Sequence, residues 1–301
     1  MKVLVTGTTG QLGSALQRCV PNEIEIIGMG RAELDLSNPD ACRQAVQQHQ
    51  PDWVLNAGAY TAVDQAESEP EIAMAVNAGA PRAFTDALNQ HGGKLLQIST
   101  DFVFNGEQST PYKPDQEKNP IGVYGKSKAK GEEAILSGFG TSNRGIILRT
   151  SWVIGPVGKN FALTMLKLHA NKDEIGVVAD QIGCPTCTHT LASACWQIIT
   201  INEKKRLPPI MHWSDAGAAS WYDVAVAVGE LGQELGLLNR YARVRPITTN
   251  DYPTPAQRPS YSLLDCYETR KTLDIEGVHW RQSLRTCLNE IKQQTKQPLR
   301  S

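Results

Sequence analysis

The sequence has no long apolar run, no excess of charge of either sign and few cysteines. Spanning a bilayer takes roughly 20 consecutive apolar residues, and no stretch of this chain approaches that length. Lysine and arginine total 30 against 31 aspartates and glutamates, a net charge of -1. That balance supplies no basic field for nucleic acid or an anionic membrane, and there is no acidic tail. The seven cysteines are scattered from Cys19 to Cys287, and an odd, dispersed set is not a disulfide framework. Residues 1–7 are a short apolar segment without the charged n-region and cleavage site of a signal peptide. These absences predict a cytoplasmic protein whose partners are small molecules, with no nucleic acid and no membrane. No internal repeat or low-complexity segment interrupts the 301 residues, which suffice for one large or two modest domains.

What is present begins with a strand, a glycine turn and a helix. Lys2–Thr6 is a compact β-branched run, followed at once by Gly7-Thr-Thr-Gly10-Gln-Leu-Gly13. Leu12, Leu16 and Val20 then recur at helical spacing. Glycines in such a turn let backbone approach a pyrophosphate, and the helix N-terminus presents free N–H groups at the positive end of its dipole. The spacing is G-x-x-G-x-x-G rather than G-x-G-x-x-G. On the triplet alone, a turn whose glycines serve only tight packing stays open.

Ile24–Ile27 reads as a second strand. NAD-selective folds place an acid after this strand to bind the ribose 2′-OH, but here the run ends Gly28-Met-Gly30-Arg31. Arg31 suits a 2′-phosphate, which leans the cofactor towards NADPH, and it equally suits a solvated loop. Asp35, just before a predicted Ser37 cap and a helix from Pro39 to Gln48, is placed to meet the adenine. Strands at 53–56 and 94–98 alternate with a helix over 71–89. Their exits, Asn56-Ala-Gly-Ala59 and Ser99-Thr100-Asp101, fall with the glycine turn at one edge of a parallel, doubly wound sheet. Ligands of such sheets sit beyond the strand carboxyl ends.

After a strand at Gly145–Arg149 the rhythm changes. Helices are predicted over 160–170, 190–201, 221–238 and 282–294, strands over 177–183 and 212–214, and an extended Pro-rich stretch over 253–259. The fold class is α/β: a Rossmann-type dinucleotide domain over 1–150 and a smaller α/β substrate domain over 151–301. The boundary is approximate and open to interleaving.

Tyr124 and Lys128, in Tyr124-Gly-Lys-Ser-Lys128, are four residues apart and share a helix face. An ammonium beside a phenol favours the phenolate and lowers its pKa. A tyrosine tuned in this way exchanges a proton with a carbonyl or alcohol near neutral pH. By itself the pair is common on solvated helix faces. Cys184-Pro-Thr-Cys187 has no second C-x-x-C or spaced histidine pair to complete four ligands, and His189 alone does not suffice, so no metal site is expected. Trp213, Trp221 and Trp280 read as core or hinge packing.

Taken together, the T-G-x-x-G-x-x-G opening, the N-A-G-A strand exit, Ser99-Thr100-Asp101 and Tyr124-x-x-x-Lys128 resemble the extended short-chain dehydrogenases/reductases. Thr61-Ala-Val-Asp-Gln-Ala-Glu-Ser-Glu-Pro70, Ser99-Thr-Asp-Phe-Val-Phe104 and Arg149-Thr-Ser-Trp-Val153 are similar to one branch, the dTDP-4-dehydrorhamnose reductases. So are Asn160-Phe-Ala-Leu-Thr-Met165, Asp180-Gln-Ile-Gly-Cys-Pro-Thr186 and Tyr252-Pro-Thr-Pro-Ala-Gln-Arg-Pro259. The likeness covers essentially the whole chain. It implies NADPH- or NADH-dependent reduction of the C4 ketone of dTDP-4-dehydro-L-rhamnose, the last step of dTDP-rhamnose biosynthesis for cell-surface polysaccharide. It implies Tyr124 as proton donor, Lys128 as the residue that holds the nicotinamide ribose and lowers the Tyr124 pKa, and Thr100 as the group orienting the reacting oxygen. Asp101 and Trp152 would line the sugar-nucleotide site beside Thr100 and Tyr124. Gly7, Gly10, Gln11, Leu12 and Gly13 would face the pyrophosphate, Asp35 and Leu36 the adenine end, and Ala59, Tyr60 and Thr61 the ribose and phosphate path. Arg258 would anchor the substrate diphosphate, its plain alternative being a surface arginine held between prolines. Some members of the family bind magnesium between subunits, which leaves a homodimer open, but no carboxylate cluster here compels the ion.

Two other readings share the fold. The regulatory beta subunit of methionine adenosyltransferase binds NADP without turnover, and its likeness is weaker through Thr61–Glu67 and Arg149–Val153. A sugar-nucleotide epimerase or dehydratase keeps the Tyr/Lys pair but recycles its cofactor.

Overall fold

Runs rich in Val, Leu and Ile with no polar alternation belong in a parallel sheet covered on both faces. In the computed structural model, which describes residues 1–296, four such runs form the centre of one sheet. They are β1 (Lys2–Thr6), β3 (Trp53–Asn56), β4 (Lys94–Thr100) and β5 (Gly145–Thr150). The edges are β2 (Glu25–Met29) and β10 (Ile210–His212), and all six strands are parallel in the order β10-β5-β4-β3-β1-β2. The order reverses direction between β1 and β3, and at such a point the strand exits part to leave a crevice. Residues 297–301, the end of the expected second domain, lie outside the described residues.

One face of the sheet is covered by α1 (Gln11–Arg18) and α8 (Thr188–Asn202), whose Leu12, Leu16, Leu191 and Trp196 share a core with Val3 and Val5. The other face carries α2 (Pro39–His49), α5 (Ala80–His91) and α6 (Val123–Phe139), which contribute Val46, Phe84, Leu88 and Ile135. Burying each of these large apolar side chains contributes about 1.5–3 kcal/mol. The cap of α2 is Asn38 rather than Ser37: Asn38 Oδ1 accepts from Asp40 and Ala41 N–H at 3.0 and 3.1 Å. Pro39 opens the helix and has no N–H of its own, so the cap is the residue directly before it.

The helix expected over 71–89 is interrupted. After α3 (Val63–Ala66) come α4 (Pro70–Met74), one π-helical turn (Ala75–Gly79) and then α5. Pro81 lacks the N–H that an α pattern would send to the Asn77 carbonyl, and the chain absorbs the missing bond as a wider turn.

In the second half, β6 (Val153–Ile154) pairs with β9 (Thr186–Cys187), β7 (Glu174–Val178) with β12 (Arg243–Ile247), and β8 (Ile182–Gly183) with β11 (Ala219–Ser220). The strand expected over 177–183 is thus divided between two sheets. Asp180 makes the break, its carboxylate accepting from Thr249 N–H and Oγ1 at 2.9 and 2.7 Å. Around these ladders α7 (Phe161–Asn171), α9 (Trp221–Glu234) and α11 (Trp280–Lys296) enclose a second core with Met165, Val228, Leu284 and Leu288. A short α10 (Tyr267–Leu273), without a counterpart in the sequence reading, packs on α8. Among the described residues, no helix is long and apolar enough to cross a membrane.

Candidate active site

The crevice is built first from glycine. Gly7 ends β1 at φ +66, and a Cβ there would stand 2.7 Å from Gly58 Cα, so only glycine lets the β1 and β3 exits lie this close. Gly10 returns its N–H to the Gly7 carbonyl at 2.9 Å and starts α1 with no side-chain cap. The first N–H groups of the helix, on Gln11, Leu12 and Gly13, therefore have no intrahelical partner. Uncapped N–H groups at a glycine-walled helix start fit a dinucleotide diphosphate. The side chains of Gln11 and Leu12 point elsewhere. Leu12 is in the core, and Gln11 Oε1 accepts from Gly155 N–H and Asn160 Nδ2, both at 2.9 Å. Gln11 thus stitches the glycine turn to the second half, and only its backbone is available to a diphosphate.

At the expected adenine end, Arg31 is exposed. The Asp35 carboxylate accepts from Ser37 N–H and Oγ at 2.9 and 2.8 Å, and these bonds hold it below the usual carboxylate range. Leu36 Cδ1 comes within 2.6 Å of where a Cβ on Gly58 would stand, so it lies over the β3 exit. Ala59, Tyr60 and Thr61 follow on the rim. Tyr60 is clamped by a residue the sequence reading missed: its N–H donates to Asn77 Oδ1 at 2.9 Å, and Asn77 Nδ2 donates to its carbonyl at 3.0 Å. The same Nδ2 reaches Ser127 Oγ on α6 at 3.0 Å. One carboxamide on the π-helical turn therefore ties the Tyr60 rim to the Tyr124 helix. Gly131 makes the approach possible, since a Cβ there would sit 2.2 Å from the Asn77 carbonyl. Pro81 and Gly79 are the sequence signal that could have marked this break.

Tyr124 opens the first turn of α6, with its ring edge-on to Phe102 at 5.6 Å. Thr100 and Thr150 are neighbours in the β4–β5 register, which puts the β4 and β5 exits side by side, with Trp152 two residues past the end of β5. Burial pushes the Tyr124 phenol up to about 12, the Thr100 hydroxyl pulls it part of the way back, and the Asp101 charge adds to the rise. Burial also pulls Lys128 down to about 8 against the charge of Glu132. Its Nζ donates to the Ile98 carbonyl at 2.6 Å. This differs from the expected lowering of Tyr124 by Lys128: the ammonium is turned onto β4, and desolvation of the phenol wins. Asp101 is fully buried, and burial raises it to about 6. Its Oδ1 accepts from Thr100 Oγ1 at 3.0 Å, while Oδ2 has no hydrogen-bond partner.

Trp152 leaves β5 at φ +46, a conformation that strains a bulky residue. Its indole stacks on Trp221 with centroids 3.6 Å apart and planes 7° from parallel. Trp221, expected as packing, is the partner of a candidate substrate contact. Arg258 is held by Asp64 on α3, Nη1 to Oδ1 at 3.0 Å and Nη2 to Oδ2 at 2.8 Å. It also donates to the Ala256 carbonyl at 3.0 Å and to Thr254 Oγ1. Just past α3, Glu67 accepts the Val123 N–H at 2.8 Å and so caps α6. Asp64 and Glu67 lie in the Thr61–Pro70 stretch that carries the family resemblance, but nothing local in it marks either as the partner of Arg258 or of the α6 start. Cys184 and Cys187 are both buried, and burial pushes Cys184 up to about 12.

The sheet edge thus gathers the glycine turn, the Tyr60 rim, Thr100, Asp101, Tyr124, Lys128 and Trp152. Arg31 and Asp35 stand at the far end, and Arg258 reaches the group through Asp64. A phenol that stays protonated, a hydroxyl beside it and a nearby ammonium can deliver a proton to an oxygen that gains charge.

The RmlD substrate binding domain family model matches residues 1–293. A dTDP-4-dehydrorhamnose reductase of Aggregatibacter actinomycetemcomitans is 39% identical over 289 residues, 94% of this chain and 97% of the relative. A probable dTDP-4,6-dihydroxy-2-methyloxan-3-one 4-ketoreductase of Streptomyces antibioticus is 39% identical over 293 residues, 97% and 96% of the two chains. Among solved structures, the dTDP-4-dehydrorhamnose reductase of Bacillus anthracis in complex with NADP superposes with a TM-score of 0.86 at 33% identity, covering 96% of this chain and 99% of that one.

Proposed function

Because the chain belongs to the dTDP-4-dehydrorhamnose reductase family, we propose that it reduces the C4 ketone of dTDP-4-dehydro-L-rhamnose to dTDP-L-rhamnose with NADPH or NADH. The observation that carries this reading is the grouping of Tyr124, Thr100 and Lys128 at the sheet edge beside an uncapped, glycine-walled helix start. When bound, the reduced nicotinamide supplies the hydride. Tyr124 donates its proton to the ketone oxygen as charge develops there, and Thr100 hydrogen-bonds the same oxygen. A phenol near 12 is protonated throughout the neutral range, the form a donor needs. An ammonium has three N–H bonds, so Lys128 keeps one on Ile98 and offers the others to ribose hydroxyls.

Asp101 and Trp152 are assigned to the sugar nucleotide, Arg258 to its diphosphate and Arg31 to a cofactor 2′-phosphate. Residues 1–150 are assigned to the cofactor and the remainder to the substrate, with α8 and β10 returning to the first layer. Two separate cores support that division. All seven cysteines are free thiols, which supports a reducing, cytoplasmic setting.

The test is oxidation of NADPH and NADH over a panel of nucleotide 4-keto-6-deoxy sugars. Consumption of cofactor in step with dTDP-4-dehydro-L-rhamnose supports the reading. Preferred turnover of another dTDP 4-ketone would move it to the chemistry named for the Streptomyces relative. Tight NADP binding without consumption would mark a regulatory protein, and conversion without net consumption an epimerase.

A further inference from the structure

Glu132 has no role in the reaction as described, and its setting is costly for a carboxylate. It lies on α6 one turn beyond Lys128 and is fully buried, a position a charge holds only when paired. Its Oε1 accepts from Ser99 Oγ at 2.6 Å and Arg149 Nε at 2.9 Å, and its Oε2 from Arg149 Nη2 at 2.7 Å. Arg149, equally buried, turns Nη1 to the Pro114 carbonyl at 3.1 Å and to His212 Nε2 at 3.3 Å. A guanidinium only donates, so His212 Nε2 accepts, and its proton is on Nδ1, which donates to the Tyr112 carbonyl at 3.1 Å. Burial and the Arg149 charge hold His212 down to about 3, so it is neutral.

A buried ion pair is a weak source of stability, so the informative point is what this one joins. Ser99 immediately precedes Thr100. Arg149 stands three residues before Trp152. Glu132 itself continues the helix face of Tyr124 and Lys128 by one more turn. We propose that Glu132 is a positioning residue for the ketone reduction. It fixes α6 against the strand ends that carry Thr100 and Trp152, and it keeps Lys128 in its charged form. The inference rests on the reductase reading.

Lys128 titrates near 8 and Tyr124, on the same helix, near 12, so the first alkaline loss of activity belongs to Lys128. The other charged groups around the pair are Asp101 beyond β4, Lys118 from the loop before α6, 3.7 Å from Glu132, and Arg149 from β5. Of these groups, Glu132 is the one whose charge raises Lys128. Removing that charge lets Lys128 lose its proton at lower pH.

Three variants test this: Glu132→Gln, Glu132→Gln combined with Arg149→Met, and Glu132→Asp. Folding is followed by thermal unfolding and activity by the pH profile of kcat/KM. The double variant removes both buried charges together, so it leaves no unpaired guanidinium. In the two Gln variants the alkaline limb is expected to move down by about one pH unit and kcat to fall about tenfold. In Glu132→Asp the charge survives, so the limb stays at the wild-type position while kcat falls because the shorter side chain releases α6. An unmoved limb in the Gln variants, or wild-type kcat in Glu132→Asp, overturns the proposal. Loss of folding in both Gln variants also overturns it, since the role is then structural. Wild-type turnover in the same assay keeps the outcomes apart: an inactive wild type refutes the reductase reading instead.

Discussion

The ammonium of Lys128 is bonded to the carbonyl of Ile98 at 2.6 Å, two residues before Thr100 at the end of β4. This contact sets the helix that carries Tyr124 in register with the strand that carries Thr100. It also means that the proposed proton donor, Tyr124, and the proposed hydrogen-bonding hydroxyl, Thr100, are held in one register by the protein itself.

Tyr124→Phe removes the proton and keeps the ring packed on Phe102. Turnover is expected to fall by about 10²-fold or more, with the KM for cofactor little changed. Steady-state NADPH oxidation checks it, and near-wild-type turnover would remove Tyr124 from the chemistry.

Arg258→Ala removes a guanidinium able to pair with a diphosphate. The substrate KM should rise by about tenfold while kcat holds. Asp64→Asn keeps an oxygen against the guanidinium but not the charge, so a smaller rise is expected. The pair is partly exposed, and its loss should cost folding stability no more than about 1 kcal/mol. A kcat effect without a KM effect would contradict the assignment.

Arg31→Ala should weaken NADPH by about tenfold and leave NADH unchanged, because only NADPH carries the 2′-phosphate. The ratio of the two KM values reads the effect directly. Equal weakening of both cofactors would place Arg31 away from that phosphate.

Asp101 makes folding depend on pH. Burial raises its carboxyl from 3.8 to about 6, so the native state disfavours the charged form. Below the unfolded pKa this group takes nothing from stability. As pH rises from about 4 to 6 the unfolded chain ionises this group while the native state keeps it protonated, so stability falls by about 3 kcal/mol relative to a neutral group and levels off once the native carboxyl ionises above 6. Asp101→Asn should therefore gain on the wild type between pH 4 and pH 6.5 and hold a constant advantage above that. Urea midpoints across this range decide it, and parallel curves would show that Asp101 does not titrate this way.

Much of this arrangement is readable from local pattern. The β1 run, the glycines from Gly7 to Gly13 and the Tyr124–Lys128 spacing depend on neighbours within one turn or one strand, and the sheet edge follows from them. The residues that lock the site depend on partners far along the chain. Asn77 sits in a stretch of good helix formers, and its work depends on Pro81 and on Ser127, 50 residues later. Glu132 reads as the charged face of an amphipathic helix until Arg149 and Ser99 bury it. Lys128 lies at the right spacing to act on Tyr124, but burial and Ile98 decide where its charge goes. Trp221 reads as packing because its partner, Trp152, lies far earlier in the chain, in the bend between β5 and β6.

The Trp152–Trp221 stack has an optical consequence. Two nearly parallel indoles in contact share their near-ultraviolet transitions and quench one another's emission. Any ligand that displaces Trp152 uncouples the pair, changing circular dichroism and fluorescence together. The protein therefore carries, in one strained residue and its neighbour, an intrinsic spectroscopic signal for occupancy of the proposed sugar-nucleotide side.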